Sequence, residues 1–188
     1  DISTYLKKRV ENNEKLIVVV SAMGKTTDEL LKQVEKITDN PDVRELDTLL
    51  AIGEQNTISL MAITLNELGV RARSLTGIQA GIKTFCQHTK SRIADIDADF
   101  LNGQLEEFDI LVVAGFQGYN ENLEITTLGR GGSDTSAVAL AAAIGASCEI
   151  YTDVTGVFGT DPRIYKAARQ LSQVSYEEML ELSALGAG

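Results

Sequence analysis

The sequence predicts an α/β sandwich around a largely parallel sheet, and three observations predict it. Short apolar, β-branched runs stand at 16–20 and 110–114, and a third strand-like stretch, Cys148-Glu149-Ile150-Tyr151-Thr152, at 148–152. Such runs suit strands covered on both faces. Segments of helical periodicity separate them, as crossover connections between parallel strands require. Each run also ends in a polar or glycine-rich loop, and ligand sites in such sheets lie beyond the carboxyl ends of the strands.

Residues 6–10 read as the end of a helix. Leu16-Ile17-Val18-Val19-Val20 is the first strand, and Ser21-Ala22-Met23-Gly24-Lys25-Thr26-Thr27 the loop after it. Thr26-Thr27-Asp28-Glu29 has the pattern of a capping box, so a helix is expected from there to about Thr38. Asn40-Pro41 breaks the chain. Helical periodicity resumes near Val43, is interrupted at Gly53, and continues to Leu68, where Gly69 is a natural C′ residue. A short strand follows over 71–75, then a turn at Thr76-Gly77. The stretch 80–108 carries the weakest signal: one short strand near Ile93 and a helix over 98–107.

Ile110-Leu111-Val112-Val113-Ala114 is the second buried strand, and 119–132 a hairpin or long loop closing in Gly129-Arg130-Gly131-Gly132. Ser133 and Asp134 are expected to cap an alanine-rich helix that stops at Gly145. Residues 148–152 are the third strand. Ser175-x-x-Glu178 is a second capping box, opening a last helix.

Composition narrows the function. The 188 residues, 44% hydrophobic and 23% charged, match one ordinary globular domain. The net charge of −10 disfavours nucleic acid and anionic membranes as partners. It also means that any site for an anionic ligand must gather its own positive field. Cys86 and Cys148 lie far apart, the pattern of a reducing cytoplasm. His88, the single histidine, lies in the polar stretch Gln87-His88-Thr89-Lys90 and is expected at the surface. No apolar run reaches membrane-spanning length. The first residues are no signal peptide, carry no initiator methionine and read as cut from something longer.

Three partial motifs fail on inspection. Gly24-Lys25-Thr26 resembles the tail of a P-loop, but Val19 stands where the first glycine belongs. Gly129-x-Gly131 lacks the last glycine of a dinucleotide fingerprint, since Asp134 occupies that place. Asp95-x-Asp97-x-Asp99 opens like a calcium loop, but Phe100 stands at the turn glycine.

Four constellations can carry chemistry. In Thr126-Thr127-Leu128-Gly129-Arg130-Gly131-Gly132-Ser133-Asp134-Thr135, glycines let backbone N–H groups approach an anion. The helix start adds unpaired donors, and Arg130 adds a fork suited to a carboxylate or phosphate. The loop from Ser21 to Asp28 combines a strand end, a lysine, two hydroxyls and a helix start. Gly53-Glu54 places a carboxylate, fit to receive an ammonium, at a helix interruption. The stretch from Tyr151 to Arg163 mixes hydroxyls, carboxylates, aromatics and an arginine, as an adenine, ribose or phosphate pocket would. Each also has a plain structural reading as a turn or cap.

Taken together, these stretches resemble the amino-acid kinase superfamily, and the aspartate kinases within it. The stretches that carry the resemblance are Val20 to Leu30, Gly53-Glu54-Gln55, Ser74 to Gly77 with Gln79-Ala80-Gly81, Ala114 to Gly118, Glu124 to Asp134, Ile150 to Asp153 through Asp161-Pro162-Arg163, and Ser175 to Leu182. The resemblance implies a three-layer αβα sandwich around a mainly parallel sheet. It implies ATP-dependent phosphorylation of the β-carboxylate of L-aspartate, the first step toward lysine, threonine and methionine, with ATP and Mg²⁺ as cofactors and a cytoplasmic setting. Thr27, Glu54, Phe116, Arg130 and Ser133 would bind aspartate, with Arg130 on its α-carboxylate and Glu54 on its ammonium. Asp134 would organise active-site lysines or a metal and, with Arg130, count as catalytic. Thr152, Asp153, Phe158 and Arg163 would hold ATP, and no protein ligand set for a metal is assigned.

The resemblance further implies that 1–188 is a catalytic domain lacking an N-terminal Lys-Phe-Gly-Gly segment and C-terminal regulatory modules, and that the full-length protein is a homo-oligomer. Ile78 stands where a tryptophan is usual, and Gly159 where a hydroxyl residue is common. Two other readings stay open: another kinase of the superfamily, or a catalytically silent nucleotide-binding fragment.

Overall fold

The two apolar runs that are strongest in the sequence lie side by side. In the computed structural model, β1 (Leu16–Val20) and β5 (Ile110–Ala114) pair in parallel, from Leu16 with Ile110 to Val20 with Ala114. The structure describes residues 2–85, 87–129, 131–152, 156–158, 160, 164–175 and 177–178. They fall in two units, Asp1–Glu149 and Ile150–Gly188, and each is treated by itself.

In the first unit, β2 (Ala72–Leu75) joins the other side of β5, giving a parallel sheet of order β1-β5-β2. Alternation along β5 explains the layers. Ile110, Val112 and Ala114 face one way and pack with Leu6 of α1 (Ile2–Glu11) and with Ile58, Ala62 and Leu65 of α4 (Ile52–Glu67). Leu111 and Val113 face the other way, toward Leu101 of α5 (Ala98–Glu107) and Leu140 of α6 (Gly132–Ile144). All five β5 residues are completely buried, so a continuous apolar run is what the position demands. This is the expected αβα sandwich.

A second sheet runs in the order β4-β3-β6-β7, with β3 (Ile82–Phe85), β4 (Arg92–Ile96), β6 (Gln117–Tyr119) and β7 (Ile125–Thr127). Its directions are mixed: β3 pairs antiparallel with β4 and parallel with β6, while β6 and β7 form a hairpin. The stretch 80–108 therefore holds two strands where one is expected. β3 alternates buried and exposed residues, and its register with β4 slips between Lys83 and Thr84. Helices α2 (Thr26–Glu35) and α3 (Val43–Leu50) complete the unit.

Several expectations need correction. Residues 148–152 form no strand, and all five are exposed. Their composition suits a strand, but composition makes one only where a neighbouring edge takes up the backbone groups. Instead Glu149 is drawn to Arg9 at 2.8 Å on the surface. The capping box at α2 does not form. Lys25 is the N-cap without a side-chain bond, and the Thr26 hydroxyl donates to the Met23 carbonyl at 2.8 Å. The helix ends at Glu35, short of Thr38. Ser133 and Asp134 do not cap α6 but lie inside its first turn. Gly131, at φ 72°, takes the cap in left-handed geometry that a side chain would strain.

The capping box at 175–178 does form, with the Ser175 N–H donating to Glu178 Oε2 at 2.8 Å and the Glu178 N–H to Ser175 Oγ at 3.2 Å. Among the described residues, no helix is long and apolar enough to cross a membrane.

Candidate active site

Three parallel strands end at one edge of the sheet, so their following loops gather there. The end of β1 and the loop after β5 are joined directly: the Gly115 N–H donates to the Val20 carbonyl at 3.0 Å. The start of α6 packs onto the same place. A Cβ at Gly115 would lie 2.8 Å from Cβ and Oγ of Ser133, and one at Gly132 would lie 2.9 Å from the Phe116 ring. The glycines thus allow the helix start to press against the strand end, with the positive end of the helix dipole at that edge.

Phe116 holds the bend between β5 and β6. Its φ is 67°, an unusual value for a bulky residue, and the surroundings enforce it. Its N–H donates to Ser136 Oγ at 3.1 Å, and its carbonyl accepts the Leu128 N–H at 2.9 Å. Ser136 Oγ in turn donates to the Gly132 carbonyl at 2.9 Å. Phe116 therefore ties the glycine loop to β5 through its backbone.

Glu54 enters from the other side. It lies in the first turn of α4 and is 3% exposed. Its Oε1 accepts the Ala22 N–H at 3.0 Å, and its Oε2 has no hydrogen-bond partner among the described residues. Burial pushes its carboxyl above the usual glutamate value, against the lowering effect of the Ala22 bond. Gly53 makes this approach possible, because a Cβ there would stand 2.7 Å from the Ala22 Cβ and 3.7 Å from Thr26 Cγ2. The start of α2, with half-buried Thr27 in its first turn, thus adjoins the start of α4.

A polar cluster that the sequence reading misses lies next to this edge. Asp47 of α3 is completely buried. It accepts from the ring Nδ1 of His88 at 2.7 Å, the Thr89 N–H at 3.0 Å and the Thr127 hydroxyl. His88 Nε2 lies 3.6 Å from Glu124, which Arg44 approaches at 3.8 Å. His88 is thus no surface residue: its polar neighbours in sequence hid a bond to a buried carboxylate. Gln117 is also buried and donates to the Ala51 carbonyl at 3.0 Å, bracing the α3–α4 junction.

Glu54, Phe116 and Ser133 therefore come to one edge with the loop that leads to Thr27. Ser133 is half-buried and Asp134 exposed in the first turn of α6. Arg130, Asp153 and Arg163 lie outside the described residues. Thr152 and Phe158 belong to the second unit, where Phe158 bridges to Gln170 and the Leu171 N–H donates to the Val157 carbonyl at 2.8 Å. Among the described residues, no group of three or more His, Cys, Asp or Glu side chains converges as a metal site.

The chain resembles known proteins along its whole length. The model of the "Amino acid kinase family" matches residues 1–188. Aspartokinase 2 of Bacillus subtilis (strain 168) is 59% identical over 179 residues, which are 95% of this chain and 44% of that protein. Aspartokinase of Geobacillus stearothermophilus is 57% identical over all of this chain and 46% of its own length. The chain thus spans less than half the length of these relatives. The crystal structure of aspartate kinase from Synechocystis superposes with a TM-score of 0.80 at 48% identity, covering 99% of this chain and 31% of that one. E. coli aspartokinase III in complex with aspartate and ADP superposes with a TM-score of 0.69 at 27% identity, covering 85% of this chain and 37% of that one. With a family model matching every residue and a fold shared with these structures, the chain belongs to the amino acid kinase family.

Proposed function

We propose that this chain supplies the aspartate-binding and phosphoryl-transfer site of an aspartate kinase, which converts L-aspartate and ATP to 4-phospho-L-aspartate and ADP. One observation carries the reading: a buried glutamate oxygen without a partner among the described residues, at the strand edge where a glycine-rich helix start also arrives. A buried, half-satisfied carboxylate costs about 1–3 kcal/mol. An arriving α-ammonium would offset that cost. The names of the close relatives, and the aspartate and ADP bound to aspartokinase III, support the same substrates.

In this reading Glu54 receives the ammonium, Arg130 the α-carboxylate, and Thr27, Ser133 and the Phe116 backbone complete the seat. The β-carboxylate is an anion near neutral pH, so the reaction needs no general base. Its oxygen bonds to the γ-phosphorus as the bond to ADP breaks. The obstacle is charge: one anion must approach another. The starts of α2 and α6 bring partial positive charge to that edge. Thr152, Asp153, Phe158 and Arg163 hold the nucleotide. Asp134, an exposed carboxylate in the first turn of α6, would help to hold a Mg²⁺ ion. When bound, Mg²⁺ neutralises phosphate charge. The reading carries with it a cytoplasmic, homo-oligomeric protein feeding lysine and threonine synthesis, as the resemblance implies.

The test is trapping of the acyl phosphate with hydroxylamine in the protein that contains this chain. Aspartate hydroxamate formed only with ATP present supports the reading. ADP release with glutamate or a nucleoside monophosphate, and none with aspartate, overturns it.

A further inference from the structure

Asp47 stands where three segments of the first unit meet. It is completely buried, with no lysine or arginine paired to it among the described residues, and it gathers donors from two sides. On one side are His88 Nδ1, at 2.7 Å, and the Thr89 N–H. On the other is the hydroxyl of Thr127, itself 1% exposed and the last residue of β7. The 87–91 segment grips Thr127 again, because the Ser91 N–H donates to its carbonyl at 2.9 Å. Beyond Thr127 the glycine loop begins at once, and a Cβ on Gly129 would lie 3.1 Å from the Thr89 carbonyl. Behind Asp47, α3 runs through Ala51 into α4, whose first turn carries Glu54. A second path closes the ring: Arg44 of α3 approaches Glu124, and Glu124 faces His88 Nε2.

A buried carboxylate is a poor means of general stabilisation, since apolar residues of equal volume hold a core as well or better. Its gain is directional: each acceptor lone pair fixes the donor that meets it. Here one fixed donor, Thr127, leads directly into the loop that contains Arg130, and the fixing element is continuous with the helix that contains Glu54. These are the two groups assigned to opposite ends of the aspartate backbone. We propose that Asp47 is a positioning residue, holding Thr127 and with it the 128–132 loop in register with Glu54, while His88 keeps Asp47 in place. The inference rests on the aspartate reading for its consequence in binding, but not for its consequence in structure.

The test uses Thr127→Val, which removes the hydroxyl at constant shape, Thr127→Ser, which keeps it, and His88→Asn, which retains a donor near the Nδ1 position but loses the reach to Glu124. Two quantities are read in the whole protein: hydrogen exchange at the amides of 128–133, and the Michaelis constants for aspartate and ATP. In Thr127→Val, loss of one hydrogen bond should speed loop exchange about tenfold and raise KM for aspartate about tenfold, with KM for ATP and kcat near their starting values. Thr127→Ser should restore both, and His88→Asn should fall between.

Unchanged loop exchange in Thr127→Val overturns the inference. So does faster exchange that extends equally to the β5 core, or a Thr127→Ser variant no better than Thr127→Val. If Thr127→Val does not fold, His88→Asn decides alone, with loop exchange at the unsubstituted rate as the overturning result. Should the unsubstituted protein show no use of aspartate while its loop still loosens in Thr127→Val, the aspartate reading falls and the positioning role stands.

Discussion

Glu54 and Ala22 are bound to each other across the sheet edge: Oε1 of the glutamate accepts the alanine N–H at 3.0 Å, and Oε2 points away with no partner among the described residues. The pairing holds the carboxylate by one oxygen and leaves the other available.

Glu54→Gln should therefore separate stability from function. Burial raises the Glu54 carboxyl above its ordinary value of 4.5, so the folded state binds a proton more tightly than the unfolded state does. A raised acid contributes stability below the unfolded value and loses it as pH rises through the folded one. Glutamine carries no such loss. The variant should melt above the unsubstituted protein at pH 8, by a difference on the order of 1 kcal/mol, and lose that advantage near pH 4. Aspartate binding should weaken about 100-fold at pH 8, because the ammonium loses its counter-charge. Thermal melts across pH and a titration with aspartate check both arms.

Gly115→Ala tests the seating of α6. The new Cβ would meet Cβ, Oγ and the backbone Cα of Ser133 at 2.8–2.9 Å, so backbone must shift rather than a side-chain tip. Overpacking of this kind costs about 1–3 kcal/mol. The displacement falls on the helix start that carries Ser133 and Asp134. Denaturant unfolding should show the loss of stability, and KM for aspartate should rise more than in Gly103→Ala, where a Cβ meets open space.

How much of this was legible in the sequence depends on what kind of burial decides each element. The runs 16–20 and 110–114 announce themselves, because a parallel strand covered on both faces needs an apolar side chain at every position. β3 does not: Ile82 and Thr84 are buried while Lys83 and Phe85 face out, and four residues with a register slip make too short an alternation to read. The run 148–152 has strand composition yet is exposed, since pairing is a property of neighbours that the run itself does not contain. In the site, Gly53, Gly115, Gly131 and Gly132 were visible as glycines at element ends, and coordinates add what each one lets through. Asp47 and His88 were hidden because their bond joins positions far apart in the chain, and the burial of Asp47 between Leu46 and Leu49 looks in sequence like a polar face.

The opposite edge of the sheet offers the last prediction. Asp109 precedes β5, and its carboxylate accepts from Arg71 Nε at 3.0 Å and Nη2 at 2.7 Å, and from Lys15 Nζ at 3.1 Å. Those two cations stand immediately before β2 and β1, so one carboxylate gathers the amino ends of all three parallel strands. The Arg71 guanidinium, and then Lys15, hold the Asp109 carboxyl well below the usual aspartate range. A depressed acid contributes stability above its unfolded value and loses it as pH falls through the folded one. Asp109→Asn should thus lower stability by about 1–2 kcal/mol at pH 7, and the gap should begin to narrow as the solution is acidified below the unfolded value, closing only toward the folded one. Because the clamp lies at the strand ends remote from Glu54 and Ser133, KM for aspartate should stay within about twofold in the variant at temperatures where it is folded. Urea unfolding at pH 7 and pH 3, with one kinetic measurement at pH 7, decides the matter. A stability gap that persists unchanged into acid would mean that Asp109 acts by shape, and a large change in KM would mean that the two edges are mechanically linked.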